Sequence, residues 1–152
     1  MTKYTYVLVH GTWHEGWCWR KVAPLLAAEG HEVVTPTLTG FGDRAHLLHE
    51  GINLATHVTD VAAVLEMEDL TDVILVGHSY AGLVLIGAAE RCADRIRRFV
   101  YLDAMLPSRR ASGFEVDTDA FREAVEKDAR ENGEGFKIAP RKAGSIRHHG
   151  PQ

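Results

Sequence analysis

Cysteine is nearly missing from this sequence: a chain of 152 residues has two, Cys18 and Cys92. They stand far apart, outside any CxxC or metal-ligand spacing, and read as reduced thiols of a cytoplasmic protein rather than as a disulfide framework. Long apolar runs are missing too. Nothing approaches the ~20 residues of a membrane-spanning helix, and Met1-Thr2-Lys3-Tyr4 leads into a strand pattern without a secretion signal or cleavage site. A surplus of positive charge is the third absence. With 17 basic against 21 acidic side chains the net charge is −4, which argues against a nucleic-acid or anionic-membrane partner. No internal repeat is visible. What is present, 45% hydrophobic and 25% charged residues, suits one soluble globular domain. A chain of this length buries about 68–70% of its unfolded surface and needs no staples.

Residues 4–9 (YTYVLV) are β-branched and aromatic and stop at His10-Gly11, a strand meeting a turn. Beyond the loop 12–18, Trp19, Val22, Ala23 and Leu26 recur at helical spacing, predicting a helix that Gly30 stops. Residues 32–35 (EVVT) form a second strand ended by Pro36, and a loop rich in Thr, Gly and His follows to residue 52. Asn53 is a candidate N-cap for a helix whose Leu54, Val58, Val61 and Leu65 share one face. Residues 72–76 (DVILV) are almost uninterruptedly apolar, as a strand covered on both faces should be. A helix apolar nearly all round is predicted over 80–92 and a fourth strand over 96–102. This alternation predicts an α/β fold, a mainly parallel sheet with helices on both faces. The remainder differs. Residues 117–132 form a charged amphipathic helix with Phe121, Ala124, Val125 and Ala129 on its apolar side, and 133–152 read as tail or linker.

One constellation carries chemistry. Ser79 stands in Val76-Gly77-His78-Ser79-Tyr80-Ala81-Gly82, directly between a strand and a helix. So sharp a bend strains the central residue and needs small neighbours. It presents the hydroxyl at the positive end of a helix, with the next backbone N–H free for an oxyanion. The usual glycine two residues after the serine is here Ala81, with Gly82 following. The plain alternative is a structural turn with a capping serine. The second motif is Val9-His10-Gly11-Thr12-Trp13-His14 after the first strand. If that strand lies between the second and third, both motifs face the crevice where strand order reverses. Gly11 then permits a backbone bend aiming the Thr12 N–H, with the Tyr80 N–H, at a carbonyl oxygen. A helix-entry loop without catalytic meaning is the alternative. His10 and His14 flank this loop, His10 as a hydrogen-bonded brace; Trp13 and Tyr80 are expected to face the pocket, Trp17 and Trp19 to pack. His46 with His49, or His148 with His149, would hold a metal only with further ligands that the pattern does not supply, so neither metal nor cofactor is expected.

The runs HGTWHEGWCWRKVAPLLAAEGHEVVTPTLTGFG, LATHVTDVAAVLE, DVILVGHSYAGLV and RFVYLDAMLP, in this order over residues 4–107, resemble the α/β-hydrolase superfamily. The nearest likeness is to the branch of plant methylesterases, hydroxynitrile lyases and small bacterial esterases. The resemblance implies a serine hydrolase of small esters, with Ser79 as nucleophile and the Thr12 and Tyr80 amides as oxyanion hole. His10, Gly11, Trp13 and His14 would line the pocket, and the strand order would be second, first, third, fourth. It divides the chain into an N-terminal half core, 1–107, the start of a helical cap, 108–140, and an irregular tail, 141–152. In the family the acid and the histidine follow the serine in that order. The sequence stops inside the expected cap, so a truncated, catalytically incomplete chain is expected. The order Ser79, Asp103, His148 is formally available, but no element holds the tail. Other readings are a non-catalytic ligand-binding remnant, a lyase, or a homodimer formed through the exposed edge FVYLDAML.

Overall fold

The computed structural model describes residues 2–106 and 119–138. The chain forms two compact units, Met1–Val116 and Asp117–Gln152. The first contains β1 (Thr5–Val9), α1 (Ala23–Ala28), β2 (Glu32–Val34), α2 (Leu54–Met67), β3 (Val73–His78), α3 (Ala81–Cys92) and β4 (Ile96–Leu102). Tight 3-10 turns occupy Gly16–Trp19, Gly42–Leu47 and Ala93–Arg95. All four strands run parallel in the order β2-β1-β3-β4, as expected.

The period-two alternation of the central strands sorts their side chains onto two faces. Val7, Val9, Val73 and Leu75 join Val58, Val61, Leu65, Val84 and Leu85 of α2 and α3 in the larger core. Leu8, Ile74 and Val76 point the other way, toward Trp19, with Leu26 of α1 packed at the margin. Each fully buried Leu contributes about 1.5–3 kcal/mol by leaving water. Two glycines let the layers close. A Cβ on Gly87 would lie 2.4 Å from Val58 Cγ2, and one on Gly77 would lie 2.8 Å from Leu85 Cδ1.

Asn53 caps α2 as read from the sequence. Its Oδ1 accepts from the amides of Ala55 (2.9 Å) and Thr56 (3.3 Å), and Thr56 Oγ1 accepts from the Asn53 amide. Such a cap contributes about 1 kcal/mol. Two expectations change. The helix read from Trp19 to Gly30 is a 3-10 turn ending at Trp19 followed by the short α1, whose first turn holds Pro24, a residue suited to helix starts and not to interiors. Gly30, at φ +87°, still ends it. Trp17, expected to pack, is 52% exposed and lies under the Arg20 guanidinium at 5.3 Å.

In the second unit α4 spans Asp119–Asn132, bearing the ion pairs Glu126–Arg130 and Lys127–Glu131. Of its expected apolar side, Ala129 is buried, Val125 half-buried and Ala124 exposed. The side chain of Phe121 and the tail with His148 and His149 lie outside the described residues. Among the described residues, no helix is long and apolar enough to cross a membrane, and no three His, Cys, Asp or Glu side chains cluster as a metal site would require.

Candidate active site

Strand order reverses between β1 and β3, and the register there pairs Val9 with Gly77. Continuing it past the strand ends sets His10 beside His78 and Gly11 beside Ser79. The crevice expected at such a reversal therefore opens between the two sequence motifs. Contact is close: a Cβ on Gly11 would come within 3.0 Å of Ser79 Cβ and 3.1 Å of the His78 carbonyl oxygen. Gly11 has no left-handed φ. Its smallness serves this approach, not the backbone bend expected from the sequence; the left-handed residue of the loop is Trp13, at φ +62°.

Ser79 is half-buried at φ +53°, a left-handed conformation that costs a non-glycine residue about 1–2 kcal/mol. Trp13, Ser79 and Asp103 (φ +43°) place three such residues just beyond the carboxyl ends of β1, β3 and β4. Strain collected at one rim of a sheet points to a site there. The bend is stapled to β4: the Ser79 amide donates to Leu102 O (3.3 Å), while its carbonyl accepts from Gly82 (3.0 Å) and Met105 (2.9 Å). Gly82 takes the role the motif usually gives the preceding position, since a Cβ there would lie 2.3 Å from Met105 O. Ala81 is fully buried in the first turn of α3.

The two peptides that carry the Thr12 and Tyr80 N–H groups are both held by their carbonyls. Ser79 O has the two bonds just described. Gly11 O accepts from His10 Nδ1 (2.7 Å), and His10 Nε2 accepts from the Leu38 amide (3.0 Å). A carbonyl only accepts and an amide only donates, so His10 is the neutral Nδ1–H tautomer. Burial first of all lowers its pKa, opposed by the bond to Gly11. His10 is wholly buried and braces the loop from beneath instead of lining a pocket. His14 is exposed, donates from Nδ1 to Thr12 O (2.8 Å) and stands edge-on to the His78 ring at 6.2 Å. Trp13 is 49% exposed.

Sequence reading missed one buried network. The Tyr80 hydroxyl bonds His57 Nδ1 (2.8 Å), and His57 Nε2 donates to Thr39 O (2.9 Å). Thr39 in turn gives both its amide (2.7 Å) and its hydroxyl (2.8 Å) to Asp60, which pairs with Arg44 at 3.5 Å. Burial pushes the Tyr80 phenol up to about 12 and holds the His57 pKa below its ordinary value. Tyr80 is thus the donor and neutral His57 its acceptor. The available signal was His57 itself, next to Val58 and four residues before Val61 on the buried stripe of α2.

Comparison with known proteins meets this geometry at the level of the family. The model of the Alpha/beta hydrolase family matches residues 6–146, so the chain belongs to that family of hydrolases. A carbendazim hydrolyzing esterase from Nocardioides sp. (strain SG-4G) is 57% identical over 102 residues, 67% of this chain and 42% of that protein. Methylesterase 1 of Arabidopsis thaliana is 37% identical over 116 residues, 69% of this chain and 41% of that one. Among solved structures, an extracellular alpha/beta-hydrolase from a Paenibacillus species superposes with a TM-score of 0.78 at 29% identity, over 86% of this chain and 52% of that one. These are the plant methylesterase and bacterial esterase relatives that the motifs implied. The chain spans about two fifths of the curated relatives it matches.

Proposed function

We propose that this protein is a serine carboxylesterase of small esters. Ser79 Oγ attacks the ester carbonyl as a base takes its proton, and the Thr12 and Tyr80 amides hold the oxyanion. The alcohol leaves carrying that proton, and water then hydrolyses the acyl-serine to the acid and free serine. The observation that carries this reading is a strained serine between β3 and α3, packed on Gly11 at the reversal of strand order. The esterase relatives support the substrate class. Oxyanion donors in such sites contribute roughly 2.7–4 kcal/mol each to the transition state.

A serine hydroxyl needs a base. His10 and His57 have both ring nitrogens engaged elsewhere, and His14 turns one to Thr12 O. The triad order places acid and histidine after α3, where Asp103 follows β4. In a well-studied serine hydrolase, losing the histidine lowers turnover by roughly 10⁶-fold, so the reaction depends on a histidine reaching Ser79. Two assays test the reading: p-nitrophenyl acetate turnover, and labelling by a fluorophosphonate with the modified residue mapped. Modification at Ser79, lost in Ser79→Ala, is expected. Modification elsewhere, or turnover undiminished in Ser79→Ala, refutes it.

Two further assignments belong to this reading. The free thiols of Cys18 and Cys92 favour the cytoplasm. β4 pairs only with β3 among the described residues and exposes Tyr101 and Leu102, which favours a second copy adding along that edge. Sedimentation giving a monomer at all concentrations would count against the dimer.

A further inference from the structure

Loops usually run over the surface with their backbone in water. Residues 37–41 do not. Leu38 is fully buried and Thr39 nearly so, and their polar groups are tied from several sides. Thr37 O accepts from Arg44 (2.9 Å), Thr37 Oγ1 from the Gly16 amide (3.1 Å), and Leu38 O from the Phe41 amide (3.1 Å). Two neutral imidazoles grip the same segment at adjacent residues: His10 accepts from the Leu38 amide and His57 donates to Thr39 O. The Phe41 ring fills the space between them, 5.4 Å from each imidazole.

Both imidazoles lead back to the proposed oxyanion hole. His10 passes its other nitrogen to Gly11 O, and Gly11 O belongs to the same planar peptide as the Thr12 N–H. In a trans peptide the two point in opposite directions, so gripping the oxygen aims the hydrogen. His57 holds the hydroxyl of Tyr80, whose own amide is the second donor. A continuous path therefore runs from the Tyr80 hydroxyl through His57, Thr39, Leu38 and His10 to the peptide of Thr12.

We propose that the 37–41 segment is a brace setting the two oxyanion amides relative to each other, with His57 as the positioning residue that couples Tyr80 to Thr12. This rests on the esterase reading for its use, not for its geometry. The two amides come from loops after different strands, and misplacement of a reacting group by about 1 Å can cost 100-fold in rate. A histidine suits the position because one neutral ring accepts on one side and donates on the other. Glutamine offers the same pair of functions; phenylalanine offers neither.

The full chain, labelled with ¹⁵N, gives the test, in wild type and the variants Tyr80→Phe, His57→Phe and His57→Gln. Tyr80→Phe deletes one oxygen and keeps the ring, so it remains informative should His57→Phe fold poorly. The Thr12 amide resonance is expected to move in Tyr80→Phe and in His57→Phe, and to return toward wild type in His57→Gln. Fluorophosphonate labelling of Ser79 is expected to slow about tenfold alongside. A Thr12 amide that stays put while those of Thr39 and Tyr80 move would overturn the proposal, since purely local packing acts that way. If wild type is not labelled at Ser79, the nucleophile reading fails, and the brace is decided by the Thr12 amide alone.

Discussion

Gly11 lies against Ser79 so closely that a β-carbon on the glycine would stand 3.0 Å from the serine Cβ. The same added carbon would meet His78 O at 3.1 Å and His78 Nδ1 at 3.2 Å. Each contact demands a shift of a few tenths of an ångström, and all three atoms belong to His78 and Ser79 of the bend. Gly11→Ala is therefore expected to cost about 1–3 kcal/mol of stability, as overpacking does, and to slow labelling of Ser79. Urea midpoints and labelling rates check it. An alanine variant as stable and as reactive as wild type would show that the two loops are not in contact.

Ser79 itself trades stability for presentation. At φ +53° a glycine is unstrained while serine and alanine are not. Ser79→Gly should be more stable than Ser79→Ala by about 0.5–1 kcal/mol, net of the greater freedom of glycine in the unfolded chain. Neither variant should be labelled at position 79. Equal thermal stabilities for the two would mean that the residue is not held left-handed.

Much of this frame was legible because its signals are local. The β4 bounds, the Asn53 cap, the Gly30 stop and the strand–serine–helix bend each rest on a few consecutive residues. Strand order followed from one long-range idea, that both motifs must face one crevice. What escaped depends on tertiary contact. Trp19, Val22 and Leu26 suit a continuous helix equally well as a 3-10 turn followed by α1. The role of Gly11 lies in a neighbour 68 positions away, although nothing local announces it. His57 reads as an ordinary position on an amphipathic helix until Tyr80 and Thr39 are placed around it.

The glycine of the bend has moved by one place, and substitution can show it. A Cβ on Gly82 would lie 2.3 Å from the Met105 carbonyl oxygen and 2.9 Å from Ala104 Cβ, and backbone cannot step aside as a flexible side chain does. Gly82→Ala is expected to cost about 3 kcal/mol or more, at the upper end for overpacking. Ala81→Gly, by contrast, should cost only about 2 kcal/mol, the helix penalty of glycine plus the loss of one buried methyl. Paired denaturation curves decide the ranking. The reverse order of losses would return the close contact to position 81.

Acid should begin to destabilise the fold below about pH 6.5, before it titrates most carboxylates. His10 and His57 both have pKa values below the ordinary 6.5, in each case because burial disfavours the charged ring. Around His57 stand the Tyr80 hydroxyl and Arg44, which oppose charge or gain nothing from it, and Asp60, which favours it. Around His10, His14 and His57 oppose charge while Asp43 favours it. Lowered folded-state values mean that below pH 6.5 the unfolded chain binds the extra protons first. Stability is complete above that pH and falls as the pH drops from there toward the folded-state values. The slope has an upper bound of about 2.7 kcal/mol per pH unit for two protons. His10 bears the harsher conflict, since a proton on Nε2 would face the Leu38 N–H, whereas the Tyr80 hydroxyl can turn to accept from His57. His57→Gln should remove its own share of the slope and leave that of His10. Urea unfolding at pH 5.0, 6.0 and 7.5 for both proteins measures this, and a wild-type stability flat across that range would contradict it.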